Sequence, residues 1–133
     1  MKKLMMSLAV LLPALAVAQM YYMPMMKYGV PKIASGFGGT SPSVVHNNGP
    51  ASFQVNVGTG TMTSSGVITL PTTFYGWSCY AADVTTPASN MTQQTGSTVS
   101  SATFTNYVRT TGVAGNWPAS DILQISCWPN TSN

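Results

Sequence analysis

Phe53-Gln54-Val55-Asn56-Val57 decides the fold class. Phe53, Val55 and Val57 fall on one side of an extended chain and Gln54 and Asn56 on the other, the period-two pattern of a strand with one face buried. Gly58 to Gly60 end it. The same alternation returns downstream. It covers residues 62–70, stopped by Pro71, and residues 74–84, where Tyr75, Trp77, Cys79 and Ala81 alternate with Ser78, Tyr80 and Ala82. Further candidates are residues 98–105, 107–110 and 121–128, with Leu123, Ile125 and Cys127 on one face of the last. Five or six short strands, with no helical period after the first residues, predict one all-β unit over residues 51–129. Its expected form is an antiparallel β-sandwich or jelly-roll-like domain, with a tail at 130–133.

Upstream of this unit the pattern changes. Residues 19–50 have little periodicity: a Met/Tyr cluster (Met20, Tyr21, Tyr22, Met23, Met25, Met26, Tyr28) precedes a Gly/Ser/Pro-rich stretch ending in Asn47-Asn48-Gly49-Pro50. It reads as an extended arm or linker that packs against a neighbouring subunit or a strand edge. Residues 1–18 read as a signal peptide, with Lys2 and Lys3 before an apolar run that closes on Ala16-Val17-Ala18. That run is shorter than the roughly 20 residues a membrane-spanning helix needs, and Pro13 interrupts it, so no membrane association is expected once the leader is removed. The expected location is extracellular or periplasmic.

Composition narrows the function. Of 133 residues, 44% are hydrophobic and only 5% charged, against about 25% charged in an ordinary domain. Without the leader, Lys27, Lys32 and Arg109 face Asp83 and Asp121. So neutral a chain lacks the clustered cations that nucleic-acid binding requires. Catalysis by acid, base or metal needs converging titratable groups, and two Asp with one His supply few. No enzyme and no cofactor are expected.

Individual motifs support this exclusion. Gly76-Trp77-Ser78-Cys79-Tyr80 lacks the second Gly of a nucleophile elbow. His46 falls in the linker, where a solvated side chain is the simpler reading than a general base. Asp83 and Asp121 stand at strand ends, as residues that bond turn amides or pair with Arg109 do, although two carboxylates suffice for glycoside hydrolysis. Gly36-Phe37-Gly38-Gly39 lacks the Lys-Ser/Thr of a phosphate loop. Met20, Met23, Met25 and Met26 offer thioethers to Cu(I), an alternative in which the arm handles periplasmic copper, but their spacing matches packing or adhesion equally well. Asn90-Met91-Thr92 and Asn130-Thr131-Ser132 match the glycosylation acceptor pattern.

Two readings of the remaining residues concern contacts. Cys79 and Cys127 form a disulfide if the chain is exported and the geometry allows it, or remain buried thiols. Among the aromatic residues Trp117, flanked by Gly115-Asn116 and Pro118, is the expected exposed contact residue, with Tyr107 and Tyr80 beside it; Trp77 is expected in the core. Such a surface serves self-association or, alternatively, stacking on cell-surface glycans in a carbohydrate-binding module.

Residues 68–71, 76–85, 103–107, 110–112 and 117–127, in that order, resemble a small β domain of bacteriophage virion proteins of tail, fibre or head-decoration type. The resemblance spans about residues 51–128. It implies a non-catalytic structural or attachment module that forms homo-oligomers or joins another structural protein, on the virion surface if phage-encoded.

Overall fold

The computed structural model describes residues 29–130. Eight strands make up its regular structure: β1 (Lys32–Gly36), β2 (Ser43–Val45), β3 (Phe53–Asn56), β4 (Ser65–Thr69), β5 (Trp77–Asp83), β6 (Asn90–Thr98), β7 (Ser101–Val108) and β8 (Ile122–Pro129). They form two four-stranded antiparallel sheets, ordered β1-β4-β7-β6 and β2-β3-β8-β5. The all-β class and the sandwich-like arrangement agree with the sequence pattern. The sandwich starts earlier than expected, however, because β1 and β2 lie inside the stretch read as a linker. Both are edge strands with weak alternation, β2 being three residues long, so the burial signal there is faint.

Each sheet buries its alternate residues against the other. Phe53 and Val55 of β3, Ile68 of β4, Phe104 of β7 and Leu123 and Ile125 of β8 are fully inaccessible, and Val57, Leu70 and Trp77 join them. Loops complete this core. Phe37, just after β1, and Trp117, in the β7–β8 connection, stack with centroids 5.0 Å apart. Phe37 holds a left-handed backbone (φ 58°), an uncommon conformation for a bulky side chain, while its ring is wholly buried.

That ring is accommodated by Gly66 in β4, where an added Cβ would overlap the Phe37 ring. Gly66→Ala is therefore expected to cost about 1–3 kcal/mol, the usual range for overpacking a filled core. A denaturant melt reads it as a lower midpoint with an unchanged slope.

The edges of the sheets carry few charges, so shape protects them. β1 has a bulge between Ile33 and Ser35, and β6 another between Gln94 and Gly96. β5 and β6, edge strands of opposite sheets, are joined at one end by the side chain of Gln94. Its Oε1 accepts from the Cys79 N–H at 2.7 Å and its Nε2 donates to the Trp77 carbonyl at 2.7 Å, so a side-chain amide stands in for a strand's peptide group. Ser97 Oγ accepts from the Trp77 N–H at 2.8 Å.

Candidate functional site

The sequence-predicted residues divide into three groups. Cys79 and Cys127 are bonded, on directly opposed positions of β5 and β8 whose Cα atoms are 4.1 Å apart. This is the spacing of a non-hydrogen-bonded antiparallel pair. Both backbone amides accordingly point away from the ladder, Cys79 N–H to Gln94 and Cys127 N–H to the Pro50 carbonyl. The disulfide is compatible with an extracellular or periplasmic location. Among the described residues no helix is long and apolar enough to cross a membrane.

The expected contact triad does not assemble. Trp117 is 1% exposed and belongs to the core, the reverse of the loop reading: its indole N–H bonds Thr92 Oγ1 at 3.0 Å and its face stacks on Phe37. With its one polar atom satisfied internally, nothing favours exposure of the ring. Tyr107 is half-buried on β7, while Tyr80 is exposed on β5. Tyr21, Tyr22, Tyr28, Met20, Met23, Met25, Met26 and the leader lie outside the described residues.

Tyr80 has different companions. On β5 the inward positions are Trp77, Cys79, Ala81 and Asp83, leaving Ser78, Tyr80 and Ala82 outward. Opposite Ser78 stands Trp128, and opposite Tyr80 stands Ser126, so Trp128 and Tyr80 are diagonal neighbours on the outer face. Trp128 is 52% exposed and Tyr80 65%. Asn130 extends this face: its side chain accepts from Ser78 Oγ at 2.6 Å and donates to the Tyr75 carbonyl at 3.3 Å. Tyr75 and its neighbour Phe74, a tilted pair with centroids 6.5 Å apart, are exposed in the loop before β5. The sequence carried a signal for this face, since Trp128 has parity opposite to buried Cys127; loop residue Phe74 had none.

The polar residues form a separate site. Between the Gln94 bridge and the β5–β6 connection no backbone hydrogen bond joins the two strands, and a cleft of about 640 Å³ runs along them. At its far end the connection, residues 84–89, forms a strap. Asp83 Oδ1 accepts the amides of Thr85 (2.9 Å) and Thr86 (2.8 Å), the turn role expected of an Asp at a strand end. Val84 N–H donates to the Ile122 carbonyl, and Ile122 N–H to Thr85 Oγ1. Arg109 does not pair with either Asp. Its Nε donates to the carbonyls of Pro87 (2.7 Å) and Asn90 (2.9 Å), securing the strap from the other side.

Asp83 and Asp121 are 4% and 2% exposed and meet at Thr86 Oγ1. Burial, then the neighbouring Asp83, pushes the Asp121 carboxyl up to about 6, against the lowering effect of the Thr86 hydroxyl. The folded state thus binds this proton more tightly than the unfolded chain. Its stabilising contribution is whole below the ordinary value of 3.8 and declines as pH rises through about 6. From Thr86 the network continues through Asn90 to Asn106 on β7, whose Nδ2 donates to Asn90 Oδ1 and to the Gly115 and Asn116 carbonyls. Asn90 is buried in this network, so its acceptor motif is closed to glycosylation.

His46 is exposed on the loop after β2, and Ser78 is engaged with Asn130 on the outer face. Among the described residues no group of three or more His, Cys, Asp or Glu side chains is placed to hold a metal. No family model, curated protein or solved structure matches the chain.

Proposed function

We propose that this protein is a non-catalytic structural or attachment protein that works by self-association, and that the outer face of the β2-β3-β8-β5 sheet is its contact surface. The observation that carries this reading is the diagonal pair of Trp128 and Tyr80. Two large aromatic residues stand 52% and 65% exposed on the outer face of one sheet, in a chain that buries Trp77 and Trp117 completely enough to leave 4% and 1% exposed. Aromatic side chains are enriched where two proteins meet, and they lose little rotamer entropy on association. A second copy of this chain is the favoured occupant, since few charges stand in the way of close approach. An exported setting is consistent with the disulfide.

Size-exclusion chromatography with light scattering tests this directly. The oxidised protein is expected to form oligomers that dissociate with dilution, and Tyr80→Ser with Trp128→Ser to yield a folded monomer whose melting temperature no longer depends on concentration. A wild-type monomer at every concentration would remove self-association.

A second reading uses the same face. Ser78, Ser126 and Asn130 place hydroxyl and amide groups beside the two rings, as stacking on a sugar with hydrogen bonds at its rim requires. Binding to a glycan array that disappears in Trp128→Ala, with the wild type monomeric, would select attachment over assembly.

A further inference from the structure

Asp83 and Asp121 are the only acidic residues in the sequence, and they meet, buried, at one hydroxyl. Thr86 Oγ1 is 3.0 Å from Asp83 Oδ2 and 2.8 Å from Asp121 Oδ2, and it accepts from Asn90 Nδ2 at 2.7 Å. A threonine hydroxyl has one hydrogen and two lone pairs. Asn90 occupies one lone pair, and the hydrogen goes to one carboxylate. The second lone pair faces the other carboxyl oxygen, and that contact is a hydrogen bond only if this oxygen carries a proton. With both groups ionised, an oxygen meets a lone pair at contact distance and two negative charges share a buried site.

Among the described residues no cation forms an ion pair with either carboxyl. The groups that face Asp121 come from the end of β5, from the strap and from the end of β3. Asp83 is the one titratable side chain among them, since Thr85 and Thr86 are neutral and Val57 contributes its amide to the Asp121 carbonyl. Arg109, at the end of β7, is turned to the Pro87 and Asn90 carbonyls. Lys32 and His46 belong to β1 and to the loop after β2.

We propose that Asp83 and Asp121 hold one proton between them through Thr86 Oγ1, and that losing it unfastens the strap of residues 84–89 from β8, making the pair a pH-operated clasp at one end of the β5–β6 cleft. The proton leaves to solvent as the strap opens and returns when it closes. The device follows from which bonds fail. Repulsion between the carboxylates acts on Thr86 Oγ1 and on the Asx turn at Asp83, while the Arg109 contacts to Pro87 and Asn90 hold no titrating group. The strap therefore loosens on its β8 side and remains tethered on the β7 side. The raised proton affinity of Asp121 agrees with this geometry.

The test is made on the full oxidised chain. Carbon-13 NMR follows its two aspartate carboxyls from about pH 3 to about pH 8, while amide exchange is read at Thr85, Thr86 and Ile122. One carboxyl step is expected near the upper part of that range. Strap opening, corrected for base-catalysed exchange, is expected to rise on the order of tenfold to a hundredfold across it, with the β7 amides unaffected. Asp121→Asn supplies a permanent N–H donor to Thr86 and is expected to keep the strap protected at every pH. Thr86→Val removes the bridge and is expected to expose the strap at every pH. Both carboxyls titrating below about pH 5, or strap opening that follows pH equally in wild type and Asp121→Asn, would overturn the proposal; the carboxyl titration needs no variant.

Discussion

Reducing the Cys79–Cys127 bond is expected to remove about 4 kcal/mol of stability, because the cross-link closes a loop with a sequence separation of 48 whose freedom returns to the unfolded chain. Against a total of about 5–15 kcal/mol for a domain, this is a large fraction. The expected readout is a melting temperature lower by roughly 15–30 °C in reductant than without it, using the scaling for a domain of this size. The bond also joins β5 to the centre of its sheet and stands beside the Gln94 bridge. Cys79→Ala with Cys127→Ala should match the reduced protein. A melting temperature insensitive to reductant would show that the bond restrains little in the unfolded chain.

Trp117→Ala is expected to cost about 3–5 kcal/mol, the range for deleting a large aromatic side chain from a filled core. Two losses combine. The Phe37 ring loses its stacking partner at 5.0 Å, and Thr92 Oγ1 loses the indole donor inside the sandwich. Trp117→Phe separates them: stacking area is largely kept while the hydrogen bond is lost, so its penalty should be the smaller. Chemical denaturation of the two variants checks the order. A change in binding with unchanged stability would instead restore Trp117 to a surface role.

The tryptophan shows where sequence reading succeeds and where it stops. In β3, β5 and β8 the alternation is strong, because both faces of those strands have settled environments, and Phe53, Val55, Leu123, Ile125 and Cys127 were legible as core. β7 was legible too, although divided by Asn106; this polar residue is wholly buried because its amide bonds three carbonyl oxygens. β6 was missed. Asn90, Thr92 and Gln94 carry polar groups toward partners that tertiary structure supplies, so no hydrophobic period marks the strand. Trp117 failed for the complementary reason: Gly115 and Pro118 announce a loop correctly, but only the fold brings Thr92 and Phe37 to its ring. Asp83 was readable as a turn residue, whereas the meeting of Asp83 with Asp121 at Thr86 was not, since Asp121 is 35 positions from that hydroxyl.

The Gln94 amide gives the molecule two unlike poles. At one, the borrowed peptide group bridges the two sheets, while the adjacent cystine binds β5 to β8 within a single sheet. At the other, residues 84–89 carry the chain from one sheet to the other and are pinned to the end of β5 and the start of β8 by a hydroxyl between two carboxyls. The seam between β5 and β6 is thus fastened by side chains at both ends and open between them, like a zip held only at its two stops.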